Sequence, residues 1–315
     1  FIVLGFMAVL IYKKRYKEIK RLFIYSALSV IAGICFIGYN PYVTNTRDFH
    51  HPFYPLNGKS FTENFSFMYQ EGVSDKSRVV KLIYAIYGKT ENSKAELKIP
   101  FTVTKSELVD NAKTELRVGG MGVFYGGVFT LSFLLLMLSI IRRRVEVDSY
   151  VVLGIVLVSI FASILIISEP WITRYIPQLW FTPLIILVFL EFCYKLDYVW
   201  FRNVTYIIAF INVGLIFCTY FGYNTLMTLD INRQLNILEK SKKEVKVDFG
   251  DFFATRVRLE EHNIPYTSVT NMSPDSAYNF ADMSKVVKID ASNVPAEFSY
   301  KFSQELVDFF KGEKE

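Results

Sequence analysis

The chain has 315 residues, with 35 lysines and arginines against 30 acidic residues and a net charge of +5. Hydrophobic residues make up 52% and aromatic residues 17%, and mean hydropathy is +0.27, values that do not by themselves separate a membrane protein from a soluble one. The distribution of apolar residues along the chain indicates a membrane protein, because these residues are gathered into runs of membrane-spanning length. Basic residues cluster beside these runs, where they set topology, so the positive charge gives poor support for nucleic-acid binding.

The apolar runs predict a polytopic helical bundle within residues 1–223, with about six crossings of which the first is incomplete. Phe1–Tyr12 is too short to cross a hydrocarbon core of about 30 Å, so we expect the chain to begin inside a helix and to be the C-terminal part of a longer protein. The complete crossings are predicted at Leu22–Tyr39, Phe124–Ile141, Tyr150–Ser168, Leu179–Tyr194 and Val204–Tyr223.

Basic clusters set the predicted sidedness. Lys13–Arg21 and Arg142–Arg144 fall on the same side under this count, and that side is therefore predicted to be cytoplasmic. The polar region 40–118 would then form a long extracytoplasmic loop, which we expect to fold as a small lid over the membrane surface. Within it, Ser77–Tyr87 has a helical apolar period, and Lys98–Thr104 is typical of a short extended segment.

Hydropathy falls from Asn224 onward, which predicts a separate α/β domain at residues 224–315 on the same outer face. Its pattern predicts a helix at Leu226–Lys243, a strand at Val245–Phe249, a helix at Gly250–His262, a strand after Pro265, a strand at Val286–Ile289 and a closing helix at Ser299–Phe310. The fold class is therefore mainly α: a transmembrane helical bundle with a long extracytoplasmic loop region and a small C-terminal extracytoplasmic α/β domain.

The segment Tyr39–Gly58 follows directly on a crossing and carries polar and aromatic side chains where hydrocarbon gives way to water. Its prolines prevent the preceding helix from continuing, and its aromatic rings suit an interface. We interpret it as a membrane-surface site for a ligand with a charged head and an apolar tail, with a well-packed loop as the alternative. The candidate binding residues are Arg47, His50, His51 and Tyr54.

A second candidate site is the short turn Glu169–Pro177 between two crossings. Arginine so close to the bilayer requires a wet cavity or a partner. One interpretation is that Glu169 and Arg174 form an ion pair that fixes the turn. The other is that Arg174 binds an anionic lipid headgroup through its planar fork, with Tyr175, Trp171 and Trp180 lining the entry for the tail.

A glycine-rich run, RVGGMGVFYGG, begins at Arg117 and opens the next crossing. Glycines at a helix start can expose amide donors, which together with Arg117 could hold a phosphate. The alternative is close helix packing, which we favour for Gly126 and Gly127 and leave open for Gly119, Gly120 and Gly122.

No metal or cofactor is predicted. Adjacent histidines on an extended loop point in opposite directions, and the only other histidine is His262. The three cysteines, Cys35, Cys193 and Cys218, lie far apart in apolar runs. Asp48 has the chemistry of a general base, although its neighbour Arg47 makes an ion pair or helix cap the commoner role. Walker-type loops, nucleophile elbows and metalloprotease helices do not occur in the sequence.

The long outer loop, the outer-face turn Arg174-Tyr175-Ile176-Pro177 and the C-terminal outer domain together resemble the GT-C class of membrane glycosyltransferases. The segments NPYVTN, HPFYPL and RVGGMG are similar to a bacterial subgroup of uncharacterised membrane proteins related to that class, and the resemblance covers residues 39–183.

The resemblance implies a polyprenyl-phosphate sugar donor bound from the bilayer, with Arg174 at the lipid phosphate. The sugar would pass to a glycan, lipid or protein acceptor at the outer face of the cell membrane. In that class the catalytic carboxylate commonly lies in the first outer loop, so we expect the catalytic residue to lie outside this sequence.

Other functions stay open at this point. A polymerase or ligase of lipid-linked polysaccharide would also use outer arginines and histidines, with a diphosphate-linked donor. A lipid or glycan transporter would place charged residues deep within several crossings, and the crossings here carry almost none. A receptor or scaffold role for the C-terminal domain is a further alternative.

Overall fold

The computed structural model describes residues 2–51, 72–73, 75–90, 95–112, 119–142, 146–167, 169–193, 199–250, 254–273, 276–280 and 287–311. The helices are α1 (Ile2–Tyr12), α2 (Tyr16–Phe36), α3 (Asn45–Phe49), α4 (Arg78–Tyr87), α5 (Lys105–Asn111), α6 (Tyr125–Arg142), α7 (Val147–Ile166), α8 (Phe181–Cys193), α9 (Val199–Ser241), α10 (Ala254–Glu261) and α11 (Phe302–Lys311). The strands are β1 (Val245–Asp248), β2 (Tyr266–Ser268), β3 (Ala277–Asn279) and β4 (Lys288–Asp290).

Within these ranges, α2, α6, α7 and α9 are long and apolar enough to cross a membrane. Shorter apolar helices are α1 and α8, the latter preceded by the 3-10 turn Pro177–Trp180. Large apolar side chains such as Phe23, Phe192 and Phe210 lie exposed on their surfaces, which suits a hydrocarbon surrounding. The chain is mainly helical and has the helices of a membrane protein. The predicted sidedness of its loops stays a prediction.

The described residues divide into two compact units. The first comprises residues 1–102 and 116–212, and the second comprises residues 103–115 and 213–315. The sequence had placed the domain boundary at Asn224, where hydropathy falls. Helix α9 instead runs unbroken for 43 residues, because a change in hydropathy without proline does not end a helix. Its later part belongs to the second unit.

In the first unit, α6, α7 and α8 share an apolar core. Leu135, Leu153 and Ile186 are among its fully or nearly fully buried members. At one end of these helices α4 adds a further layer, because Leu82 and Ala85 pack with residues of α6 and α7 and of the turn before α8. Ser77 caps α4, because its side-chain oxygen accepts a hydrogen bond from the Val80 amide at 3.5 Å. The helical prediction for Ser77–Tyr87 is thus confirmed.

The segment Lys98–Thr104, predicted to be extended, differs from that expectation. A single antiparallel bridge joins Gly88 to Leu97, and the chain then turns at Pro100 and Phe101. Helix α5 follows at once, because Thr104 and Glu107 form a reciprocal capping box at its start. The proline in this segment favours a turn over a continued strand.

The second unit contains a four-stranded sheet in the order β2-β1-β4-β3. Strands β1 and β2 run parallel across the α10 connection, and β4 is antiparallel to both β1 and β3. Leu235 and Leu238 of α9 pack with Val247, Ile289 and Phe298 in its core. The structure therefore contains the predicted α/β elements and adds one unpredicted strand, β3.

A tight turn follows β1. The Asp248 carboxylate accepts hydrogen bonds from the amides of Met272 at 3.0 Å and Gly250 at 3.1 Å. These amides hold the pKa of the Asp248 carboxyl below its ordinary value. Gly250 has a φ of +51°, in the region that glycine enters most readily.

Candidate functional site

The turn between α7 and α8 is built of two short 3-10 segments, Thr173–Tyr175 and Pro177–Trp180. The amide of Ile172 donates to the carbonyl of Glu169 at 3.2 Å, and the amide of Tyr175 donates to the carbonyl of Ile172 at 2.9 Å. Consecutive hydrogen bonds of this kind leave the turn with little backbone freedom. Arg174 therefore lies on a segment of defined shape.

A buried ion pair joins this turn to α4. The Lys81 ammonium donates to the two carboxylate oxygens of Glu169 at 2.8 and 3.0 Å, and the Trp171 indole donates to the same carboxylate at 2.5 Å. The side chains of Lys81 and Glu169 are only 7% and 8% exposed. A buried carboxylate requires such donors, because an unpaired charge in a low-dielectric surrounding is very unfavourable.

Glu169 therefore positions the turn. One of the two interpretations of the sequence paired Glu169 with Arg174, whereas in the structure both carboxylate oxygens accept from Lys81, on a helix far away in sequence. Lys81 was not among the predicted site residues. Its sequence signal was a lysine within the apolar pattern of a predicted amphipathic helix.

Arg174 is exposed at the surface of this turn, and its guanidinium carbon lies 5.2 Å from the centre of the Tyr175 ring. Tyr175 is half-buried and packs against the cluster that contains Trp171 and Ile172. A stacked guanidinium loses less freedom when it binds a ligand than a lysine on a mobile chain would. The arrangement thus presents a permanent positive charge on a fixed support.

The aromatic residues predicted to line an entry for the lipid tail are not gathered around Arg174. Trp171 is completely buried, and its indole holds Glu169. Trp180 lies 5.5 Å from Tyr125, ring centre to ring centre, in the core shared with α6. Of the three aromatic residues predicted to line the entry, Tyr175 is the one in contact with Arg174.

The other predicted residues lie in the segment after α2. A π-helical turn at Tyr39–Thr44 leads into α3, where Arg47 pairs with Asp48 through contacts of 2.6 and 3.1 Å. The guanidinium of Arg47 holds the pKa of the Asp48 carboxyl below its ordinary value. His50 is exposed, with a φ of +57°, and His51 is half-buried.

Tyr54 and Arg117 lie outside the described residues. The expected convergence of Arg47, His50 and Arg117 on Arg174 stays a prediction. Among the residues that the structure does describe, no group of three or more histidine, cysteine or acidic side chains is placed to hold a metal ion.

The glycine run before α6 serves packing at several positions. A Cβ at Gly126 would lie 2.8 Å from the carbonyl oxygen of Ile86, and one at Gly127 would lie 2.2 Å from the ring of Phe101. Both glycines thus allow a close approach, Gly126 to α4 and Gly127 to the Phe101 turn, while the packing of transmembrane helices that the sequence suggested for them stays a prediction. Gly119 has a φ of +67° and lies against the backbone of Thr90, whose hydroxyl donates to the Gly119 carbonyl at 3.2 Å.

Sequence reasoning also missed the role of Asn212, a buried amide in the apolar part of α9. Its side-chain nitrogen donates to the Met121 carbonyl at 3.0 Å, and its oxygen accepts from the Phe124 amide at 2.8 Å. Asn212 thereby provides hydrogen-bond partners for backbone groups of the glycine bend, which the hydrocarbon of a bilayer cannot provide. A single asparagine within a predicted crossing was the available signal.

Comparison of the chain with protein-family models, characterised proteins and solved structures finds no match. The function is therefore argued from geometry and chemistry.

Proposed function

We propose that this chain is the lipid-donor-binding part of a membrane glycosyltransferase. Its donor is a sugar linked to polyprenyl phosphate, bound from the bilayer with the phosphate at Arg174. Its acceptor is a glycan, lipid or protein at the extracytoplasmic face of the cell membrane. The observation that carries the proposal is the exposed Arg174 guanidinium on a turn between two apolar helices. The turn is held to α4 by the buried Lys81–Glu169 pair.

The position of Arg174 supports a lipid phosphate as ligand. A turn that joins a membrane-length apolar helix, α7, to the shorter apolar helix α8 is expected near the membrane surface, where lipid headgroups are also found. Guanidinium binds phosphate with two parallel hydrogen bonds and keeps its charge at every physiological pH. Because the turn is already ordered, little conformational entropy is lost on binding.

The proposed reaction breaks the bond between the anomeric carbon and a phosphate oxygen. An acceptor oxygen forms the new bond to that carbon, and polyprenyl phosphate leaves with the electron pair. Arg174 would stabilise the negative charge that develops on the leaving phosphate, which is the usual electrostatic contribution in phosphate chemistry. The base that removes the acceptor proton is not assigned to any residue of this sequence.

The test replaces Arg174 and follows a labelled polyprenyl-phosphate sugar. In membranes that hold the chain together with any segment that precedes it, Arg174→Ala should reduce binding and turnover about 10- to 100-fold, because a hydrogen bond to a charged group contributes about 1.5–3 kcal/mol. Arg174→Lys should retain part of the binding, since it keeps the charge and loses the fork.

Arg256→Ala is the matched control. Arg256 is an exposed arginine of α10 paired with Glu260 at 2.8 Å, and its loss should leave donor binding unchanged. Equal donor binding by the wild type and Arg174→Ala, at equal protein abundance, would exclude Arg174 from the site. Stronger binding of a diphosphate-linked donor in the wild type would favour the polymerase or ligase alternative.

A further inference from the structure

A groove of about 550 Å³ lies on the second unit, between the later turns of α9 and the start of α11. This volume falls within the range of about 300–1,000 Å³ typical of small-molecule sites. The lining residues are Leu229, Asn232, Arg233, Asn236, Ile237, Lys240 and Phe302.

One wall is a stripe of α9. Asn232, Asn236 and Lys240 are spaced four residues apart, so their side chains lie above one another on one face of the helix. The two amides each offer donors and an acceptor, as a row of sugar hydroxyls requires. All three residues are exposed.

The opposite wall is held in place by polar contacts with α9. The Asp230 carboxylate accepts hydrogen bonds from the amides of Phe302 at 2.8 Å and Ser303 at 2.9 Å. Arg233 donates to the Glu297 carbonyl at 2.8 Å and also to the Tyr300 carbonyl. The ring of Phe302 is thereby fixed at the edge of the groove, and 39% of this residue stays exposed.

The charge of the groove favours an anion. Among the described residues, its lining contains Arg233 and Lys240 and no acidic side chain. The side-chain hydrogen bonds that Arg233 makes with described residues go to neutral carbonyl oxygens, and its guanidinium carbon lies 5.2 Å from the centre of the Tyr300 ring and 5.9 Å from that of the Phe302 ring. The nearby Asp230 carboxylate is fully buried and is turned to the α11 amides.

The position of the groove along α9 separates it from lipid headgroups. Residues 229 to 240 follow Tyr223, the last residue of the apolar stretch, by about 9 to 25 Å at a rise of about 1.5 Å per residue. Headgroup regions extend only about 5–8 Å beyond the hydrocarbon core. A ligand dissolved in the aqueous phase therefore fits this position better than a lipid headgroup.

We propose that this groove binds an acidic saccharide. The Asn232 and Asn236 amides contact its hydroxyls, the Lys240 ammonium binds its carboxylate with Arg233 adding positive charge nearby, and the Phe302 ring packs against a sugar face. The inference adds a second binding site to the chain. Binding of the saccharide does not depend on the proposed function. The further statement that an acidic glycan is the acceptor rests on the proposed function.

The test measures binding by the full chain reconstituted in detergent-free lipid nanodiscs. Oligogalacturonate is the acidic probe, maltohexaose is the neutral probe, and phosphatidylglycerol vesicles test for a lipid headgroup. Oligogalacturonate should bind at least about tenfold more tightly than maltohexaose, because its carboxylates form charge-assisted hydrogen bonds that the neutral probe cannot form. The vesicles should not compete with it.

Substitutions of the lining residues test whether oligogalacturonate binds in the groove. Lys240→Ala, and the double variant Asn232→Ala/Asn236→Ala, should each weaken oligogalacturonate binding at least about fivefold. These side chains are exposed, so thermal unfolding should not change. Lys243→Ala, which removes an exposed lysine just beyond the same helix, should leave binding unchanged.

The two proposals fail separately. Arg174→Ala should keep full oligogalacturonate binding, whatever it does to the lipid donor. The saccharide proposal is overturned by a wild-type chain that does not bind oligogalacturonate, by equal binding in the groove variants and the wild type, or by competition from the vesicles.

Discussion

At the scale of single residues, the Lys81–Glu169 pair determines how the Arg174 turn is held. Both charges are nearly excluded from solvent, and the carboxylate also accepts the indole of Trp171. Removing one partner leaves the other charged and buried. Replacing both leaves neither charge unpaired, and the cost should then be much smaller.

We therefore expect Lys81→Met to reduce the free energy of unfolding by about 3–5 kcal/mol, with the double variant Lys81→Met/Glu169→Gln recovering most of the loss. Glutamine keeps an acceptor for Trp171. Thermal unfolding of the purified chain in detergent, monitored by circular dichroism, measures both. Additive effects of the two substitutions would contradict a direct coupling.

The control for this pair is the exposed contact between Arg202 and Glu191, with an N to O distance of 2.7 Å. Exposed pairs contribute about 0–1 kcal/mol, so Arg202→Met should change stability little. A loss as large as that of Lys81→Met would indicate that detergent, and not burial, controls the measured difference.

The residue-level interpretations of the Glu169–Pro177 turn left two roles open for Arg174, and the structure bears on one of them. Arg174 is exposed, and the Glu169 carboxylate pairs with Lys81, so the interpretation in which Glu169 and Arg174 fix the turn as an ion pair is not the contact observed. Lys81 reaches Glu169 only after α4 has packed over the ends of α6 and α7, and no local pattern encodes that contact.

At the scale of elements, periodicity identified α4 and most of the C-terminal unit. Periodicity did not identify two elements, α5 and β3. Helix α5 begins at a capping box of Thr104 and Glu107, which is readable in the sequence and was not used. Strand β3, at Ala277–Asn279, has only three residues and lies at the edge of the sheet, so its alternation is too short to recognise.

The start of α6 gives an element-level prediction. Gly126→Ala would place a Cβ at 2.8 Å from the Ile86 carbonyl oxygen, a backbone atom that can yield only if α4 moves away from α6. Overpacking of this kind typically costs about 1–3 kcal/mol, which should lower the thermal unfolding temperature in detergent.

Gly154→Ala is the matched substitution, because the structure has nothing within 4 Å of a Cβ at that position of α7. Alanine has the higher helix propensity, so this variant should be neutral or more stable by up to about 1 kcal/mol. Equal losses for the two glycines would show that the close approach of α4 to α6 does not limit the stability of the first unit.

At the scale of the whole molecule, hydropathy identified the membrane-length helices, because length and composition alone determine whether a segment can span hydrocarbon. The same hydropathy profile predicted an end for α9 that the structure does not have. Helix continuity is set by backbone hydrogen bonds, which a change from apolar to polar side chains does not by itself interrupt when proline is absent. The orientation of the chain in the membrane depends instead on where its basic clusters lie.

Orientation is the prediction that the two proposed sites share, since both require the turn of Arg174 and the C-terminal unit to face outward. The test uses a background in which Cys35, Cys193 and Cys218 are replaced by alanine, and adds one cysteine at the exposed position Lys17 or Lys243. A membrane-impermeant maleimide added to intact cells should label Lys243→Cys and should label Lys17→Cys only after the membrane is opened, because basic segments such as 13–21 are retained in the cytoplasm. The reverse pattern would place the C-terminal groove in the cytoplasm, where an acidic surface glycan could not reach it.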